Sequence, residues 1–342
     1  MKWKKAAMLV LTAALVCQPM SVFADAAPDG MTDASQTAAA QGGAWEAWSQ
    51  EWETLKDDWT QVSMSPGADE TQMNFAWYSK DGEETGLVYG TSSDLSDGQN
   101  AQVTQTASQD GYLSNKVTLN NLQPGVTYYY QVTGKEIESF TTDDDTSDFS
   151  FIFVGDPQIG SSNSAKDDSP EDMQTPEFLT AQSEAVRNDS FNWNYTLNRA
   201  FAKTGNSANF ILSAGDQIQT NYEDAEDTRI SEIEYAGYLS PDVMKSVPVA
   251  TTVGNHDADN PNYTYHFNIA NMSDLGDNGY VGGDYYFTYG DALFMILNTQ
   301  DTNVSEHKQF IEETVAANQD CKWRIVTLHQ DIYGSAEHSN EP

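Results

Sequence analysis

Three times along this chain a run of mostly apolar, strand-forming residues ends in glycine followed by Asp or Asn: FSFIFVGD (149–156), ANFILSAGD (208–216) and PVATTVGN (248–255). A fourth run, WRIVTLHQ (323–330), carries His329 near its end. Glycine at a strand end lets the backbone turn sharply and brings the next side chain over the sheet edge. The dipeptide alone says little, because Gly-Asp recurs at 276–277, 283–284 and 290–291, where turn chemistry accounts for it. The apolar run before each tip sets the first three apart. Between the runs lie amphipathic stretches, FNWNYTLNRAFAKTG (191–205) and ISEIEYAGYLSPDVMKS (230–246), and one further apolar run, DALFMILNTQ (291–300). Strands alternating with helices predict an α/β domain with much parallel sheet. Ligands of such sheets bind at the carboxyl ends of the strands. Asp156, Asp216, Asn255 and His329 are therefore expected on one rim.

The chain upstream has a different texture. Over 61–142, short alternating runs such as QMNFAWYS, TGLVYG and NKVTLN are separated by turn residues, the pattern of an antiparallel β-sandwich. Within LQPGVTYYYQV (122–132) a Pro-Gly turn leads into a strand with Tyr128 and Tyr130 on one face, which resembles the tyrosine corner of fibronectin type III-like sandwiches. The acidic TTDDDTSD (141–148) is the expected linker, and the α/β domain occupies 149–342. Before the sandwich, Trp45, Trp48, Trp52, Leu55 and Trp59 recur at spacings of three and four, one face of a helix expected over 44–60. That face is expected to dock on the adjacent domain, with a glycan- or partner-binding surface as the competing use. Residues 25–43 hold almost nothing large and apolar and are expected to be a disordered leader.

The first 24 residues read as a secretory signal: Lys2, Lys4 and Lys5, an apolar stretch, then Val22-Phe23-Ala24 before Asp25. The apolar stretch is too short to span a bilayer, and no stable membrane anchor is expected. Cleavage after Ala24 leaves Cys321 as the one cysteine, so no internal disulfide is expected in the exported chain. It also removes three lysines and no acidic residue, taking the formal charge from −36 to −39. A surface that acidic repels nucleic-acid backbones and anionic membranes, so nucleic acid is excluded as a partner.

Carboxylate, amide oxygen and imidazole are ligands for Zn²⁺, Mn²⁺, Fe or Mg²⁺. An Asp shared by two ions holds them roughly 3.5–4 Å apart, suited to attack of a metal-activated water on a phosphoryl centre. His256 follows Asn255 directly, so it can face the same pocket without binding metal, and its expected work is to protonate the leaving oxygen or to bind phosphate. The blocks GDPQ, GDQ, GNHD and LHQ, in this order, resemble the metal-binding blocks of the calcineurin-like metallophosphoesterases. The sandwich ahead of them makes the likeness nearest to the purple acid phosphatase branch. The resemblance covers roughly 60–342 and implies an α/β metallophosphoesterase sandwich preceded by an all-β fibronectin III-like sandwich. It further implies two divalent or trivalent ions, with Asp156 on the first, Asp216 bridging, Asn255 and His329 on the second, and Asn255 and His256 near the substrate phosphate.

Three departures from the family pattern bear on function. Gln158 stands where the family commonly has a histidine ligand, and Gln219 where the purple enzymes have an iron-ligating tyrosine; either is a candidate for direct or indirect contact with metal. With Gln219, no tyrosinate-to-iron absorption is expected. The family's closing Gly-His-x-His block does not occur, which implies that the last part of the cage and the closing strands lie beyond Pro342. His266 and His307 are expected in loops or on helix surfaces, and His338 in a loop behind His329. The polar segment 161–190, with a short helix expected around 177–187, either shapes access to the site or is an ordinary surface insertion. Few basic residues lie nearby (Lys166, Arg187), which favours a small phosphate ester over a polyanion. Two readings stand at this point: a secreted phosphoesterase acting on phosphomonoesters, or a secreted non-catalytic binding protein with a degenerate phosphoesterase domain.

Overall fold

The computed structural model describes residues 34–165, 173–220, 228–259 and 261–330. The signal segment, the start of the leader and His338 lie outside the described residues.

The all-β part consists of two four-stranded antiparallel sheets. One has the order β1-β2-β6-β5, built from Ser63–Pro66, Met73–Lys80, Tyr112–Leu119 and Thr104–Ala107. The other has the order β4-β3-β7-β8, from Gln99–Asn100, Leu87–Gly90, Thr127–Val132 and Glu138–Thr141. Alternation along β7 buries Tyr128, Tyr130 and Val132, which pack with Phe75, Trp77, Val117 and Phe140 in one core. Tyr128 OH accepts a hydrogen bond from Gln123 N at 2.9 Å, tying the strand back to the LQPG turn that precedes it.

The α/β part begins with β9 (Phe151–Val154), which pairs in parallel with β10 (Phe210–Ser213), itself parallel to β11 (Val249–Thr251). The register sets Val154, Ser213 and Thr251 side by side, so the chain leaves all three strands at one end. A second sheet holds β12 (Tyr285–Tyr289), β13 (Ala292–Ile296) and β14 (Trp323–Thr327), with β13 and β14 parallel. The sequence reading placed no strand at β12; it forms an antiparallel hairpin with β13 across Gly290, whose φ of +56° suits the tight turn. Phe210, Leu212, Phe287, Phe294 and Ile296 fill the layer between the sheets.

Among the described residues five α-helices accompany the strands: α1 (Ala44–Leu55), α2 (Pro176–Lys203), α3 (Thr228–Tyr238), α4 (Asn262–His266) and α5 (Val304–Ala317). Helix α2 is one continuous element where the sequence suggested two. Thr175 caps it by accepting from Phe178 N, Pro176 occupies its first turn, and its buried stripe runs through Phe178, Gln182, Val186, Phe191 and Leu197. Residues 176–190, the second half of the polar segment 161–190, are therefore helix and not loop.

The leader expectation is corrected for its described part. Residues Ala34–Gln36 and Ala38–Gly43 form 3₁₀ turns, with Ala34 and Ala40 buried in the α/β core cluster. Alanine is small enough to fill a tight contact, and a count of large apolar residues does not register it. In α1, Trp48 and Trp52 are buried against α2: Trp48 Nε1 donates to Arg187 O at 2.7 Å and Trp52 Nε1 to Ser183 Oγ at 3.3 Å. Trp45 meets Phe191 edge-on at 5.4 Å, whereas Trp59 contacts Tyr112 of the sandwich.

Candidate metal centre

The three parallel strands and β14 end at the same rim, and their tips bring the predicted side chains together. Asp156, Asp216 and His329 each offer a ligand atom within 4.8 Å of the others. His329 Nε2 lies 3.3 Å from Asp216 Oδ2 and 3.2 Å from Asn255 Oδ1, so Asn255 joins the group. His329 Nδ1 donates to Ala214 O at 2.9 Å, which fixes the ring and turns Nε2 toward the acidic residues.

The tips are shaped for this approach. Asp156 and Asp216 have φ of +54° and +52°, and Gly215 between β10 and Asp216 has φ of +106°. At Gly254 the constraint is space: a Cβ there would stand 2.0 Å from Asp216 Oδ1. The loops after β9 and β10 are zipped to each other, with Gln158 N donating to Asp216 O, Ile159 N to Gln217 O and Gln219 N to Ile159 O.

A residue without an assigned role in the sequence reading holds two of the tips. Asp257, the last letter of GNHD, is fully buried and accepts from Asp216 N at 2.8 Å, Gly254 N at 3.0 Å and Gln217 N at 3.1 Å. The signal was present in the motif itself: a carboxylate one residue past the histidine, at the foot of two glycine-bearing tips, where backbone N–H groups need acceptors. Burial, with Asp216's charge adding, pushes the Asp257 carboxyl up to about 8 in spite of those bonds.

The remaining candidates take unequal parts. His256 N donates to Asp216 Oδ1 at 2.9 Å, and its Nδ1 donates to Gln219 O. A carbonyl can only accept, so Nδ1 carries the proton and Nε2 is the nitrogen free to exchange one. Gln219 thus contributes its backbone carbonyl. Gln158 reaches the centre through its amide, with Nε2 3.3 Å from Asp216 Oδ2. His266 and His307 are not surface groups, which corrects the expectation for both. His266 is 1% exposed with Nε2 2.7 Å from Glu232 Oε2, and His307 on α5 faces the buried Asp284 at 2.8 Å. Asp284, read as a turn residue, also accepts from Asn298 N at 2.8 Å. Each side chain follows the partner it must neutralise or hydrogen-bond, which periodicity does not show.

Electrostatics at the rim follow from crowded carboxylates. Burial would lower the His329 pKa, but its hydrogen bond and charge interaction with Asp216 raise it to about 9. Burial alone would raise Asp216; the His329 hydrogen bond and the His256 N–H outweigh it and hold the carboxyl below its ordinary range. Asp156 is raised, by burial first, with Asp216's charge adding and His329's opposing. Two carboxylates, an amide oxygen and an imidazole nitrogen converging on a few ångströms form a donor set for a borderline or hard cation, so the residues fit a metal. A cleft of about 340 Å³ reaches this rim along Asp156, Pro157, Asp189 and Asn192. A larger one of about 510 Å³ lies between the sandwich and the α/β part and touches none of these ligands, so the chemistry points to the smaller cleft.

Two parts of the chain match known families. Residues 149–342 match the calcineurin-like phosphoesterase family. The chain belongs to that family. Residues 59–148 match the purple acid phosphatase N-terminal domain, so the all-β part precedes an α/β phosphoesterase domain. No curated protein matches the chain. Two solved structures of the sensor domain of an anti-sigma factor from Pseudobacteroides cellulosolvens are similar to a quarter of it. Their identities are 19% and 17%, the match covers 25% of this chain and 89% or 75% of the other, and the TM-scores are 0.20 and 0.19. Membership of the phosphoesterase family implies divalent metal ions and phosphate-ester substrates. Among the described residues no helix is long and apolar enough to cross a membrane.

Proposed function

We propose that this chain is an exported, dinuclear-metal phosphoesterase that hydrolyses small phosphate esters, phosphomonoesters foremost. The observation that carries the reading is the convergence of Asp156, Asp216 and His329 from three strand tips, with Asn255 against His329. Asp156 and His329 would each hold one ion, Asp216 would bridge, and Asn255 would complete the His329 side. A metal pair bound there would offset charge on the phosphate oxygens and acidify a water. The chain's own groups do the rest. His256, oriented through its Nδ1–H, presents Nε2, which with a second proton on the ring would protonate the leaving oxygen, and Asn255 would orient the phosphate. Export rests on the Lys-rich, apolar N-terminal segment.

The binding-protein alternative had the tryptophan stripe and the sandwich as its working surface. Trp48 and Trp52 are buried against α2, and Trp45 and Trp59 are half-buried, so the stripe's share of that surface is largely occupied. Replacing Asn255 with Ala is expected to abolish phosphate release from p-nitrophenyl phosphate in the presence of Mn²⁺, Zn²⁺ or iron. Activity equal to that of the unaltered protein would remove Asn255 from the site and with it the proposed centre.

A further inference from the structure

Beneath the rim lies a buried polar cluster that none of the roles above uses. Glu234 of α3 is fully buried and accepts from Thr220 N at 2.9 Å, Thr220 Oγ1 at 2.6 Å and Gln182 Nε2 at 2.5 Å. Gln182, on α2, accepts in turn from Asn163 Nδ2 at 2.7 Å. The cluster therefore grips both loops that leave the metal-bearing strands. Gly160 leaves it room: a Cβ there would stand 2.4 Å from Gln182 Nε2 and 2.6 Å from Glu234 Oε1.

Thr220 is the residue after Gln219, whose carbonyl accepts from His256 Nδ1. We propose that Glu234 is a positioning residue for His256, acting through Thr220 and the Gln219 carbonyl. The loop from Asp216 to Thr220 is held at one end by the β10 tip and at the other by Glu234, so the peptide that presents the Gln219 carbonyl cannot rotate freely. A carbonyl held in place selects one imidazole tautomer and one ring orientation. The geometric part of this inference stands independently of catalysis; its consequence for turnover rests on the phosphoesterase reading.

The test uses the full chain labelled with ¹⁵N-histidine, metal-free, where five histidines give a tractable spectrum and His256→Ala assigns the signal. The unaltered protein is expected to show His256 as a single tautomer with the proton on Nδ1. Glu234→Leu should yield a mixture of tautomers and lower kcat on p-nitrophenyl phosphate roughly 10- to 100-fold, within what a positioned acid contributes, at a KM within about twofold. Glu234→Gln, which keeps an acceptor oxygen and the shape, should restore the single tautomer and most of kcat. If Glu234→Leu does not fold, Thr220→Val, which removes only the hydroxyl donor, should shift the tautomer population in the same direction. A folded Glu234→Leu, or in its place Thr220→Val, with the unaltered tautomer pattern overturns the inference. Absence of turnover in the unaltered protein overturns the phosphoesterase reading instead, and the tautomer measurement still decides the role of Glu234.

Discussion

A methyl group at position 254 would sit on Asp216 Oδ1, and a carboxylate at 257 collects three N–H groups from two strand tips. At the residue scale the rim is thus organised by what is withheld as much as by what is present. Glu234 illustrates the electrostatic side. Burial pushes its carboxyl up to about 8 from an ordinary 4.5, against the hydrogen bonds it accepts from Thr220. The folded protein then holds a proton that the unfolded chain loses above pH 4.5, so this group's contribution is fully present below that pH and declines as pH rises toward 8. Glu234→Gln, neutral at every pH, is expected to flatten the stability profile between about pH 5 and 8 by a few kcal/mol at most. Denaturant midpoints measured across that range check it; identical slopes for the two proteins would contradict the raised pKa.

At the scale of elements, helix α1 and the turns before it form a strap over α2. The spacing of Trp45, Trp48, Trp52 and Leu55 made the helix legible, and the docking surface was the expected use of its apolar face. The leader before it was misjudged because Ala34 and Ala40 are buried by their neighbours and not by their own hydrophobicity. Trp52 is 1% exposed, and Trp52→Ala is expected to destabilise the protein by about 3–5 kcal/mol, read from the denaturant midpoint. A loss below about 1 kcal/mol would mean that the strap does not share in the core. Helix α2 was underestimated for a related reason. Its buried face includes the polar residues Gln182 and Ser190, Gln182 with hydrogen-bond partners on other elements, so the apolar period looked broken where the helix runs on.

For the whole molecule, the decisive contact is between the sandwich and the α/β part. Tyr78 of β2 stacks on His266 at 4.4 Å, Ser114 Oγ donates to Tyr265 O, Asn268 Nδ2 donates to Val117 O, and Tyr130 OH donates to Lys245 O. Glu232 anchors His266 from behind, both side chains being almost fully buried. Removing that acceptor with Glu232→Ala leaves a buried imidazole nitrogen unpaired, at a cost of about 1–3 kcal/mol. The expected result is a lower unfolding midpoint by calorimetry, with the sandwich and the α/β part beginning to unfold separately. A single transition at an unchanged midpoint would show that the junction does not depend on this pair.

The division between sequence and structure runs along the range of the forces involved. Strand tips ending in Gly-Asp and Gly-Asn, the alternation of the sandwich and the tryptophan spacing are local patterns, and local patterns carry the order of elements, the class of each part and the identity of Asp156, Asp216, Asn255, His256 and His329 as candidates. Which buried polar groups find each other is not local. His266 with Glu232, His307 with Asp284, Glu234 with Thr220 and Gln182, and Asp257 with three backbone donors are each set by a partner on another segment. A buried charge or hydrogen-bonding group is tolerated only where tertiary packing brings that partner within about 3 Å, and no periodicity along the chain encodes the meeting.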